Sequence, residues 1–80
     1  MKRCFLVFSD PGNGFHGVHH TIDGAAHNAA GLGAATMPDG RPITVADVRD
    51  VMEHQAIISL ICAPHEEFRH IRIERHVILV

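Results

Sequence analysis

The stretch "FRHIRIERHVILV", residues 68–80, constrains the fold more than any other part of the chain. Ile71, Ile73, Val77 and Leu79 fall on one side of a period of two, and Arg72, Glu74 and His76 on the other. An extended strand with one buried face satisfies this pattern, whereas a helix would scatter it. The last four residues are apolar on both faces, which puts this end of the strand inside a sheet, near the first strand. Such a strand needs neighbours on its edges and a layer over its apolar face, and the rest of the chain must supply both.

The N-terminal stretch "KRCFLVF", residues 2–8, reads as the first neighbour: a short aromatic and aliphatic run stopped by Ser9, Asp10 and Pro11. "SDPGNG" packs three turn dipeptides into a few residues, and "FHGVHH" then reads as a weaker returning strand that completes a hairpin. Thr21 suits an N-cap, with Asp23 in the first turn, and Ile22, Ala25, Ala26, Ala29 and Leu32 follow helical spacing. This predicts a helix over residues 22–31, stopped by glycine, with a small-residue face able to lie close to a sheet. "TMPDGRP" is a second turn cluster. Thr44, with Asp47 three residues later, opens a second helix along Val45, Val48, Val51 and Met52. In "AIISLIC" the isoleucines favour a strand, but no glycine or proline interrupts the chain after Glu53. The reading adopted continues the helix to about Ala63, before Pro64.

These elements define an α+β domain: an antiparallel sheet of about three strands with two helices packed on one face. At 80 residues the chain forms a single domain, residues 1–80. Its core is small, because a chain of this length buries only roughly 60 to 65% of the surface its unfolded form exposes. That leaves little room for a deep substrate cleft and weighs against an enzyme. Cys4 and Cys62 are too few for a disulfide scaffold and sit in apolar surroundings, so both are expected buried and reduced. The N-terminus starts like a signal peptide, but Ser9-Asp10-Pro11 ends its apolar run after five residues and no cleavage site follows. No run approaches the length of a membrane span. The expected location is cytoplasmic.

Net charge is −2 with neutral histidines, so no basic field exists to attract nucleic acid. The chain is histidine-rich: protonating all 8 would carry the formal charge to +6 over the mildly acidic range.

Gly12-x-Gly14-x-x-Gly17 has the spacing of a dinucleotide-binding loop. Pro11 and two other residues separate the strand from the first glycine, however, and the helix begins beyond the third, so the segment reads as a turn. Cys62-x-x-His65, with His54 eight residues earlier, forms the alternative metal set, for which zinc is the natural ion. His16, His19 and His20 make a second histidine cluster. No activating context surrounds Cys4, Cys62, Ser9 or Ser59. The strongest surface feature is the end of the chain, where Arg69, Arg72 and Arg75 are interleaved with Glu74 and preceded by Glu66 and Glu67. Arginine is enriched at protein interfaces, so these six residues are the protein-contact candidates.

A short chain with an N-terminal apolar strand, a turn, a small-residue helix opened by "TIDGAAHNAA" and a closing strand resembles the small phage-encoded inhibitors of bacterial defence, anti-CRISPR proteins among them. The resemblance is one of architecture and size and transfers no residue. It implies a non-enzymatic protein that blocks a host defence complex by covering its surface. The leading expectation is a protein-binding regulator of that kind. The alternatives are a histidine-using metal protein or small enzyme, and a structural subunit of a homo-oligomer, the simplest being a homodimer.

Overall fold

A computed structural model describes residues 2–79. The alternating stretch is a strand, β5 (His70–Ile78), and it is the central strand of five. On one side it pairs with β1 (Lys2–Asp10), from Lys2 opposite Ile78 to Asp10 opposite His70. On its other side lies β4 (Ile57–Cys62), from Ile57 opposite Glu74 to Ile61 opposite His70. Two shorter strands complete the edges: β2 (Gly14–His19) beside β1, and β3 (Ala34–Thr36) beside β4. The order is β2-β1-β5-β4-β3, antiparallel throughout.

The helices begin where side-chain caps allow. Thr21 Oγ1 accepts the Gly24 N–H at the start of α1 (Ile22–Gly31), and Thr44 Oγ1 accepts the Asp47 N–H at the start of α2 (Val45–His54), each at 3.0 Å. Both helices cover the same face of the sheet. Ala25 and Ala29 of α1 and Val48 and Met52 of α2 join Phe5, Val7, Ile58, Leu60, Ile71 and Ile73 in one buried cluster. Each large side chain in it stabilises the fold by roughly 1.5–3 kcal/mol. The alanines leave no bulk between α1 and the strands.

Three expectations fail, each for a reason visible in the packing. The second helix does not run on to Ala63; it ends at His54, and Gln55 is already extended at φ −128°. Residues 57–62 form β4, because Ile58, Leu60 and Cys62 then face the helices while β5 gains a second row of ladder hydrogen bonds. With β3 added, the sheet has five strands rather than about three. Val77 and Leu79 also escape burial, at 49% and 85% exposed. The β2 pairing reaches only Phe5, and the β4 pairing only Glu74. Beyond those points Lys2–Cys4 and His76–Ile78 pair with each other alone, as a two-stranded ribbon. Val80, part of the apolar end, lies outside the described residues.

The glycine-rich segment is a hairpin. Residues 11–13 turn between β1 and β2, with Gly12 at φ +104° and Asn13 at φ +52°. No helix begins there. Val7 faces Gly17 and Phe8 faces Phe15, so His16 is an extra residue in β2. The bulge changes which way β2 presents its side chains. Phe15 and Val18 pair with Phe8 and Leu6 on the face away from the helices, while His16 and His19 both turn toward the helix side.

Candidate functional site

The helices leave the other face of the sheet uncovered. Leu6, Phe8 and Asp10 of β1 point there, with Phe15 and Val18 of β2, Arg72, Glu74 and His76 of β5, and Ile57, Ser59 and Ile61 of β4. Phe15, Val18 and Ile57 are each more than half exposed. The Phe8 and Phe15 rings meet at 5.4 Å.

Arg72 organises the middle of this face. Its Nε donates to Glu74 at 2.6 Å, its Nη1 to both oxygens of Asp10 at 2.9 and 3.2 Å, and its Nη2 to Asn13 at 3.1 Å. The guanidinium also lies 4.8 Å from the centre of the Phe8 ring, within cation–π range. His76 Nε2 is 3.0 Å from the second oxygen of Glu74. The hydrogen bond from His76, and then that from Arg72, hold the Glu74 carboxyl below its ordinary value. Glu74 and Asp10 in turn raise the pKa of Arg72. A fixed arginine with aromatic and aliphatic neighbours is chemistry suited to a flat protein surface.

The other contact candidates do not join it. Period two turns Arg75 to the helix side, where Nη1 donates to the Met52 carbonyl at the end of α2, a favourable place for a cation. Arg69 is exposed in the loop before β5, and its main chain bridges Asp10 and Cys62. Glu66 and Glu67 are exposed in the same loop, with the Glu66 side chain lying against Gly33. The three arginines therefore serve a face, a loop and a helix end.

The alternative metal set is likewise dispersed. His54 precedes β4, and Cys62 and His65 follow its length, so the strand separates them by roughly 20 Å. His54 instead has Asp50 and Glu53 beside it on α2, with ligand atoms within 4.8 Å of one another and all three side chains exposed. Cys4 and Cys62 are both free and buried. They lie on opposite faces of the sheet, and burial, with a contribution from Glu66, pushes the Cys62 thiol upward.

Two histidine contacts escape a reading of the sequence. His16 Nε2 is 2.8 Å from Ser9 Oγ, the reach of a nucleophile and its base, but Ser9 is sealed at 1% exposure. The pair joins β1 to the bulge, and His16 also stands edge-on to Phe68 at 5.3 Å. Asn28 Nδ2 donates to the His16 carbonyl at 3.2 Å and to His19 Nε2 at 2.8 Å, tying α1 to the outer strand. Only the bulge at His16 brings both histidines to one side.

A cleft of about 270 Å³ opens where β3 ends, between the Met37–Arg41 turn, α2 and the start of β4. At its rim the Arg41 N–H donates to Asp39 at 3.0 Å and the Arg41 guanidinium pairs with Asp39 at 2.6 Å; the main-chain bond and then the ion pair lower the pKa of Asp39, and the side-chain bond raises that of Arg41. Among the described residues no helix is long and apolar enough to cross a membrane. Comparison with protein families, curated proteins and solved structures gives no match to this chain.

Proposed function

We propose that this protein is a small regulator that binds another protein through the open face of its sheet, with Arg72 at the centre and Phe15, Val18 and Ile57 around it. The observation that carries the reading is this uncovered face, where exposed apolar side chains surround an arginine already fixed in place. Ordering a long side chain costs binding energy, and Arg72 is ordered beforehand by Asp10, Glu74 and Asn13. Edge pairing is the less favoured route at the two outer strands. β2 carries a bulge whose His16 carbonyl is occupied by Asn28, and β3 is three residues long and bridged to Pro42.

For the partner we propose, on the resemblance in architecture and size alone, a bacterial defence complex whose working surface the protein covers, in the manner of anti-CRISPR inhibitors. The test is a pull-down from bacterial lysate with wild type, Phe15→Asp and Arg72→Glu. A stoichiometric host complex held by wild type and lost by both variants is the expected result. A complex retained by Phe15→Asp would refute the assignment of this face. Sedimentation of the same variants separates this reading from a homodimer formed through the same surface.

A further inference from the structure

β3 covers only the far end of β4. Ala34 faces Cys62 and Thr36 faces Ile61, after which the chain turns away through Met37 and Pro38. Residues 57–60 have β5 on one side and no strand on the other.

Which main-chain groups face the gap follows from the ladder. The Cys62 N–H donates to Arg69 at 2.9 Å, and the Ala56 carbonyl accepts from Arg75 at 2.7 Å. Main-chain groups in an antiparallel strand alternate sides, so those of residues 56, 58, 60 and 62 point to β5 and those of 57, 59 and 61 away from it. The Ala63 N–H, donating to the Gly33 carbonyl at 2.9 Å on the β3 side, fits the same alternation. Ile61 has β3 opposite it. The N–H and C=O of Ile57 and Ser59 are left facing the cleft, with no partner among the described residues.

Native edges are usually blunted by a bulge, a proline or a lysine, as β2 and β3 are here. This stretch of β4 carries none of these. Donor and acceptor groups repeating on every second residue are complementary to one kind of occupant, a main chain in extended conformation. The cleft beside them has Val51 and Ile58 in its lining and Met37 opposite. At about 270 Å³ it falls below the ~300–1,000 Å³ of most small-molecule pockets and suits one or two side chains. The charged side chains in its lining, Asp39 and Arg41, pair with each other, so the lining itself sets no charge preference for an occupant.

We infer that the exposed edge of β4 binds an extended peptide segment as an added strand, with an apolar side chain in the cleft. The site adjoins the face centred on Arg72 and shares Ile57 with it, but it uses main-chain groups where that face uses side chains, so each can be broken without the other.

The test begins with selection of a displayed random-peptide library on the intact chain, followed by titration of the best synthetic peptide. Expected are sequences sharing an apolar residue at one position, and slower amide exchange at Ile57 and Ser59 on binding. Ser59→Pro removes only an outward N–H and should weaken binding by about ten-fold or more, while Ser59→Ala should bind like wild type. Methylating alternate peptide nitrogens should weaken binding similarly, which decides the matter even if Ser59→Pro does not fold. Phe15→Asp, on the opposite edge strand β2, should leave peptide affinity unchanged. No enrichment, an exchange footprint elsewhere, equal affinity of folded Ser59→Pro, or dimerisation of the free chain through these same amides would overturn the assignment.

Discussion

Replacing Arg72 by alanine tests whether the polar centre of the open face is structural framework or solvated decoration. The side chain makes four hydrogen bonds, to Glu74, to both oxygens of Asp10, and to Asn13. In doing so it links β5 to the end of β1 and to the hairpin turn. A buried charged hydrogen bond contributes roughly 1.5–3 kcal/mol, but this side chain is 23% exposed and its carboxylate partners 31% and 20%. Screening therefore leaves about 0.5–1 kcal/mol for each of the two carboxylate pairs. The Asn13 bond and the stacking on Phe8 add about 0.5 kcal/mol each, for a loss of roughly 2–3 kcal/mol. For a domain of this size that lowers Tm by about 8–24 °C. Urea unfolding followed by circular dichroism gives the free energy, and scanning calorimetry gives Tm. The coupling between Arg72→Ala and Glu74→Ala, from a double-mutant cycle, should be about 0.5–1 kcal/mol and shrink in molar salt. A loss under about 0.5 kcal/mol would mean that water replaces these contacts at no cost, and the idea of a pre-ordered Arg72 would fall.

Three further outcomes follow from contacts already described. Glu74 is held below its ordinary value of 4.5, so its stabilisation is present above that pH and lost as pH falls through the lower folded value. Glu74→Gln should flatten that acid limb of the stability curve; an unchanged limb would refute the pairing. Asn28→Ala removes the bonds to the His16 carbonyl and His19, and should cost about 1–2 kcal/mol while speeding amide exchange in β2 but not in β5. Both cysteines are buried, and the Cys62 thiol is pushed upward, so iodoacetamide should label the native chain at least about ten-fold more slowly than the unfolded one. Equal rates would mean that the β4 end opens freely.

Much of the fold is legible because its signals are local. The threonine caps mark the starts of α1 and α2, and the alternation of Ile71 and Ile73 with Arg72 and Glu74 marks β5. β4 is not legible in this way. Ile57–Cys62 follows α2 with only Gln55 and Ala56 between them, and what makes it a strand is the slot beside β5, a tertiary demand with no local mark. β3 is shorter still, an Ala-Ala-Thr held by Cys62 and Ile61. At the site, period two separates Arg72 from Arg69 and Arg75, so reading the three as one cluster overlooks a division the sequence already contains. The joint placement of His16 and His19 depends on the bulge, which a glycine alone does not announce.

The pairing of β1 with β5 has a consequence for synthesis. β1, the earliest made of the five strands, has its principal partner in β5, the last made, since Lys2 meets Ile78 and Asp10 meets His70. Until that stretch emerges, Phe5, Leu6, Val7 and Phe8 have only the short hairpin with β2 to hold them, and a lone hairpin is marginal in water. Such long-range pairing slows folding and defers it until β5 has been made. A product cut before His70 would lack the middle of the sheet, presenting proteases and chaperones with an apolar strand instead of a smaller working version of the protein.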